Sequence, residues 1–263
     1  MKELLDLDSK EVILLMKETG LAATSVEQGL NALRKANFSN KKLYYHSFFL
    51  LSIGIERILK LVIIVNSIVK NDKLPENNEL KIYGHNLMEL FSKVTSEIRP
   101  SDYFLRQDDQ YLSILGFLSD FAQNSRYFNL DTLSGKNKGV DPLHEWHKIQ
   151  TVIKARHCKI KLSEFELAII ESLNNNAIFR FRNESDNPIN TATEYVIEGK
   201  LADQIQGYSV QYIYKIINYL VTILIERSNE KHMLPVYQEF FLLFRNPSMK
   251  DIEVRRKKDW SRI

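Results

Sequence analysis

Three groups of residues carry side chains that could do chemistry. The first is an apolar run crossed by charges, Ile53-Gly54-Ile55-Glu56-Arg57-Ile58-Leu59-Lys60-Leu61-Val62, followed beyond a polar loop by Tyr83-Gly84-His85-Asn86-Leu87. On a helix Glu56 and Lys60 are one turn apart in the favourable order, an ion pair of about 0.3–0.5 kcal/mol if solvated. Ser52, Glu56, Lys60, Asn66 and Ser67 share one stripe of that helix. The stripe is either a salt-bridged surface or a face turned to a partner subunit or to the helix opening at His85. A helix N-terminus disfavours an imidazolium, so His85 is expected to be a neutral ring bonding locally, with Gly84 freeing the backbone for the entry.

The second group is His144, Glu145 and His147. Positions 144 and 147 share a helix face, but His-Glu-Trp-His lacks the spacing of the zinc-protease pair, so surface histidines are expected and no metal or other cofactor. The third group is basic. Phe179-Arg180-Phe181-Arg182-Asn183 alternates aromatic and cationic residues, which suits stacking and phosphate contact in RNA binding. An edge segment packing two Phe into the core explains it equally. Near the end, Lys250, Arg255, Arg256, Lys257, Lys258 and Arg262 stand against Asp251, Glu253 and Asp259, a net +3 equal to that of the whole chain. Residues 1–249 are therefore balanced, and the tail either meets phosphate or an acidic partner or is merely solvated. Trp260 could stack on a base or anchor an interface.

The elements that must position these residues read as helices. With 263 residues, 44% hydrophobic content and only 9 Gly and 6 Pro, the chain can bury a sizeable core and favours long helices. Ser9 to Thr19 with a stop at Gly20, Thr24 or Ser25 to Ala36, and Ser39 to Lys70 are expected helices, the last being the longest. Asn86 with Glu89, Asp108 or Asp109, Asp141 before Pro142, and Ser163 with Glu166 open further helices; Pro100 ends one and Pro235 begins the last, through Phe244. Residues 183–207 are expected to be the longest irregular stretch, and no run supports a sheet. The Gly/Lys loop 134–139 divides an N-terminal bundle, 1–131, from a C-terminal helical region with a basic tail, 140–263. The fold class expected is all-α. The lone Cys158, the acidic N-terminus and the absence of a spanning segment make a cytoplasmic protein the simplest expectation.

An apolar helix carrying Glu56 and Leu59-Lys60, then Gly84-His85-Asn86-Leu87 and Leu90, then Arg126-Tyr127, resembles the HEPN superfamily over about residues 25–131. The resemblance implies an antiparallel helical bundle, frequent dimerisation and membership of prokaryotic toxin-antitoxin or phage-defence systems. Many active relatives are metal-independent endoribonucleases using an Arg and a His four to six residues apart at the dimer interface. Arg227-Ser228-Asn229-Glu230-Lys231-His232 fits that spacing, although Ser228 departs from the strongly polar residue usual after the Arg. Arg227 and His232 are accordingly the catalytic candidates: His232 could take the proton of an RNA 2′-hydroxyl while Arg227 holds the developing phosphate charge. Arg180, Arg182, Arg255, Arg256, Lys257 and Lys258 are the RNA-contact candidates. The expected function is a HEPN-like defence or toxin-antitoxin protein that cuts or binds RNA, as a homodimer or with a partner protein. The alternative is a non-catalytic helical module for dimerisation or interaction.

Overall fold

The computed structural model describes residues 10–98, 109–136, 139–243 and 249–260. Ser9, Pro100, Asp108, Phe244 and Arg262, named above, lie outside them.

Helix α1 spans Lys10–Lys35 without a break at Gly20. Val12, Leu15, Thr19, Ala22, Ala23, Val26, Leu30 and Leu33 form one buried stripe at three- and four-residue spacing, and burial of that stripe outweighs the poor helix propensity of one glycine. Helix α2, Lys42–Asn71, begins after Ser39, whose N–H is held by Asn37 Oδ1 at 2.9 Å in a turn. Where α1 and α2 cross, a Cβ on Gly54 would lie 2.7 Å from Val26 Cγ2. Glycine is what permits that approach.

Short α3, Asn77–Lys81, leads to α4, Leu87–Glu97, whose cap Asn86 accepts the Glu89 N–H at 3.2 Å. Helix α5, Asp109–Asp120, runs into a π-helical turn at Phe121–Ser125 and then α6, Phe128–Leu133. Asp141 caps α7, Pro142–His157, and a Ser163–Glu166 capping box opens α8, Glu164–Asn176. Two-residue strands β1, Phe181–Arg182, and β2, Pro188–Ile189, pair antiparallel in a small hairpin. A second capping box, Thr191 with Glu194, then starts α9, Ala192–Asn229. At 38 residues α9 is longer than α2, at 30. The stretch 183–207 is thus mostly hairpin and helix, contrary to the irregular loop expected from its Asn, Thr and Asp content. Helices α10, Leu234–Leu243, and α11, Asp251–Arg256, complete an all-α fold.

Helices α2 and α9 form the middle of the molecule, with α1 along α2. Phe48 on α2 meets Phe117 at 4.7 Å and Trp146 at 5.1 Å between ring centroids, and Phe91 meets Tyr219 at 6.2 Å. Side chains from both sides of the 134–139 loop therefore share one apolar core. No helix among the described residues is long and apolar enough to cross a membrane.

Candidate nucleic-acid interface

Helix α11 lies on α9 because Gly207 leaves room for it: a Cβ there would sit 3.0 Å from the Arg255 carbonyl oxygen. The contact is locked by Val254 and Trp260, both 1% exposed. Trp260 packs against Tyr214 with centroids 5.3 Å apart, and its backbone N–H donates to Asn31 Oδ1 at 2.7 Å. The indole is therefore an internal anchor and not the exposed stacking platform considered for it.

This packing builds a cleft of about 540 Å³ lined by five cations, Arg34, Lys159, Arg255, Arg256 and Lys258, against one carboxylate, Asp203. Arg34 Nη1 donates to Asp203 Oδ1 at 2.8 Å and to its carbonyl at 3.2 Å, and Lys258 pairs with the same carboxylate. Burial pushes Asp203 upward, but the bonds from Arg34 and Lys258 outweigh it and hold the carboxyl below its usual range. Lys159 is placed by reciprocal 3.2 Å bonds between its backbone and the Gln204 side chain. Aromatic surface sits beside the charge: His157 stacks on Tyr208 with centroids 4.4 Å apart and planes within 13°, and the Arg255 guanidinium lies 4.8 Å from the Tyr208 ring. Arg34 is buried and held by Asp203, and Arg255 donates to Gln211 Oε1 at 2.8 Å. Lys159, Arg256 and Lys258 are thus the more accessible cations beside the stacked aromatic pair, an arrangement that suits a single-stranded phosphate backbone with unpaired bases.

A second polar pocket, about 440 Å³, surrounds the charges of α2. Glu56 accepts from Lys60 Nζ at 2.7 Å through one oxygen and contacts His85 Nδ1 at 2.9 Å through the other, while Lys60 also donates to the Gly84 carbonyl at 3.0 Å. The stripe thus faces the helix opening at His85, the second of its two readings, with Ser52 and Asn66 buried. Arg57 pairs separately with Glu18, and the π-helical turn closes with Arg126 N–H on the Phe121 carbonyl at 3.1 Å, which carries Arg126 to the pocket rim.

The candidate site residues distribute unevenly. Arg255, Arg256 and Lys258 converge in the basic cleft, whereas Lys257 lies over the Trp260 ring at 4.7 Å. Arg180 and Arg182 belong to the exposed hairpin region and do not line that cleft; Arg182 donates to the Asp186 carbonyl at 2.6 Å. Phe181 contacts Phe38 and Tyr195, and Phe179 contacts Tyr195, but Phe181 stays 42% exposed and Phe179 half-buried, so the two rings are not packed into the core. At the end of α9, Arg227 pairs with Glu230 at 2.8 Å and reaches the Ile98 carbonyl at 3.5 Å. His232 is exposed on the following turn at φ 56°. Trp146 is fully buried, and the described residues contain no group of three or more His, Cys, Asp and Glu side chains able to hold a metal.

Arg34, Lys159, His157 and Tyr208 were not singled out as contacts from the sequence. Their only sequence signal is basic or aromatic type, and 174 positions of chain separate the first from the last of the four. Comparison with known proteins returned no match to any family model, any curated protein or any solved structure.

Proposed function

We propose that the protein is a HEPN-like, RNA-directed helical effector of a bacterial defence or toxin-antitoxin type, holding single-stranded RNA in the cleft between α9 and α11. The observation that carries this reading is the five-cation cleft beside the stacked His157–Tyr208 pair. Cations there would displace the counterions of successive phosphates, and the aromatic edge would receive an unstacked base. Cleavage, where it occurs, is assigned to Arg227 and His232. Exposure of His232 leaves its ring accessible to a 2′-hydroxyl, and Arg227 would have to exchange Glu230 for the phosphate.

The test is fluorescence anisotropy with labelled single-stranded RNA at several salt concentrations, comparing the parent with Lys159→Ala and Arg255→Ala. Each variant should weaken binding and flatten the plot of log affinity against log salt by about one unit. Equal affinity and equal slope in parent and variants would remove the cleft from the assignment. Incubation with total RNA in EDTA, beside Arg227→Ala and His232→Ala, examines cleavage: loss in both supports the ribonuclease, and the same outcome in all three dismisses it.

One observation favours the alternative of a non-catalytic interaction module. Helix α6 buries no residue, and Leu130 and Leu133 are 64% and 85% exposed. Apolar side chains so displayed suit contact with another protein.

A further inference from the structure

The β1–β2 hairpin delivers a serine to a histidine on another element. Ser185 Oγ is hydrogen-bonded to His147 Nε2, although 38 positions separate the two residues in the chain. The serine is held from both sides. Within the turn, Asn183 Oδ1 accepts the N–H groups of Ser185 and Asn187, each at 3.0 Å, and Asp186 takes a left-handed conformation at φ 60°. From the start of α2, the N-cap residue Lys41 reaches Asp186 Oδ1 through Nζ at 2.7 Å and Tyr44 donates to Glu184 Oε1 at 3.3 Å. Such pinning fixes Ser185 Oγ while leaving the residue exposed.

Behind the imidazole stands Gln150, one turn further along α7 and 3% exposed. Gln150 Nε2 donates to the Tyr44 hydroxyl at 3.2 Å, which also receives Gln206 Nε2 at 2.6 Å, so the amide orientation follows from this buried network. That leaves Gln150 Oε1 on the other side. Both this oxygen and His147 Nδ1 are buried, and neither has a hydrogen bond of normal geometry. They are complementary: an Nδ1–H donated to Oε1 would place the ring's lone pair on Nε2, facing Ser185. Burial lowers the His147 pKa, opposed by the Gln150 carbonyl, which favours a neutral ring at pH 7.

We propose that Ser185 and His147 form a nucleophile–base pair for acyl transfer from small esters, with Gln150 as the residue that positions the ring. A nucleophile, a base within bonding distance and a third group orienting the base are the recurring requirements of such sites. The adjoining cavity measures about 130 Å³. That space suits a short acyl group better than a long one. Leu201, Ala202 and Ile205 supply its apolar wall, and Lys154 its cation. The turn's own N–H groups at 185, 186 and 187 are engaged internally, and the pocket's lining also includes Glu184 and Glu198. Among the described residues Lys154 is therefore the one cation there to offset their charge and that of a developing oxyanion.

In the first step Ser185 Oγ bonds to the carbonyl carbon and its proton passes to His147 Nε2. Collapse breaks the bond to the ester oxygen, which leaves as an alcohol with that proton. Water then adds to the acyl-serine in the same manner, releasing the carboxylic acid and restoring both side chains. The assignment is independent of RNA binding.

Intact-mass spectrometry after treatment with phenylmethylsulfonyl fluoride tests it, since serine attack displaces fluoride and leaves one sulfonyl group on the protein. One adduct is expected, mapped to Ser185, absent from Ser185→Ala and formed at least about 100-fold more slowly in His147→Ala and His147→Gln, the usual loss on removing a general base. Hydrolysis of p-nitrophenyl acetate and butyrate should exceed that of the octanoate and fall with the same variants. Circular dichroism establishes that each variant is folded, and the glutamine variant serves if the alanine one is not. No adduct on the folded parent, an adduct retained in Ser185→Ala, or equal labelling rates in folded His147 variants would overturn the proposal.

Discussion

Glu56 Oε2 and His85 Nδ1 lie 2.9 Å apart across 29 positions of sequence, and the other Glu56 oxygen holds Lys60. Because Lys60 also binds the Gly84 carbonyl, the carboxylate clamps the entry of α4 to the middle of α2. The Glu56 side chain is only 13% exposed, so removing its charge takes away the shared partner of Lys60 and the His85 ring, although His85 is half exposed and Lys60 keeps the Gly84 carbonyl. Glu56→Gln should lower unfolding stability by about 1 kcal/mol, and Lys60→Met by less, in urea titrations. An unchanged midpoint in both variants would reduce the clamp to an ordinary surface pair.

Two carboxylates should respond to pH with opposite sign. Lys200 donates to both oxygens of Glu166 at 2.7 and 2.6 Å, and with Ser163 it holds the pKa at about 2. Glu166 therefore stabilises the fold above its ordinary 4.5, and that contribution disappears as pH falls from 4.5 toward 2. Glu184 is raised, first by burial, so its favourable form is the protonated one, fully present below 4.5 and lost as pH rises through the higher folded value. Thermal melts should show Glu166→Gln flattening the acid-side decline and Glu184→Gln raising the melting temperature at pH 7 but not at pH 4.

Gly207→Ala forces a Cβ against the Arg255 carbonyl and must move α11 by a few tenths of an ångström. The expected result is a folded protein with weaker RNA binding, since Arg255, Arg256 and Lys258 shift together relative to Arg34 and Lys159. Anisotropy with the parent's RNA checks this, and undiminished affinity would show that the cleft's geometry is immaterial to binding.

His232 occupies the left-handed region, where a side chain costs roughly 1–2 kcal/mol. His232→Gly should raise the melting temperature, while the ribonuclease assignment requires the same variant to lose cleavage. A stabilised variant that cuts RNA as fast as the parent would dismiss His232 as a base and leave it a turn residue.

What could be read in the sequence follows the range of each interaction. Asn86, Asp141 and Ser163 were legible as caps because each bonds an N–H two or three residues ahead. Gly20 was misleading because the stripe Leu15–Thr19–Ala22–Val26 is buried by other elements, with Thr19 Oγ1 reaching the Val236 carbonyl at 2.6 Å. The Thr191–Glu194 box was equally local, and was hidden by the loop-like composition around it. Residues 255, 256 and 258 announced themselves as a run, but Arg34 joins them only through the packing of α1, α9 and α11, and Lys159 only through the bonds of the segment after α7 to Gln204 on α9. Likewise His147 read as a surface histidine, since the hairpin that brings Ser185 to it was not expected.

Burial of Trp260 also changes what kind of object the basic C-terminal segment is. Residues 250–260 are anchored, so the repulsion among the cleft's cations that Asp203 does not offset is borne by the folded protein itself. The cleft is an electrostatic spring, loaded on folding and relaxed by whatever neutralises it. Added salt should therefore act in opposite directions on the same residues, raising the melting temperature by screening the repulsion while weakening phosphate binding. Trp260→Ala would release the spring, giving a less stable protein whose melting temperature no longer rises with salt.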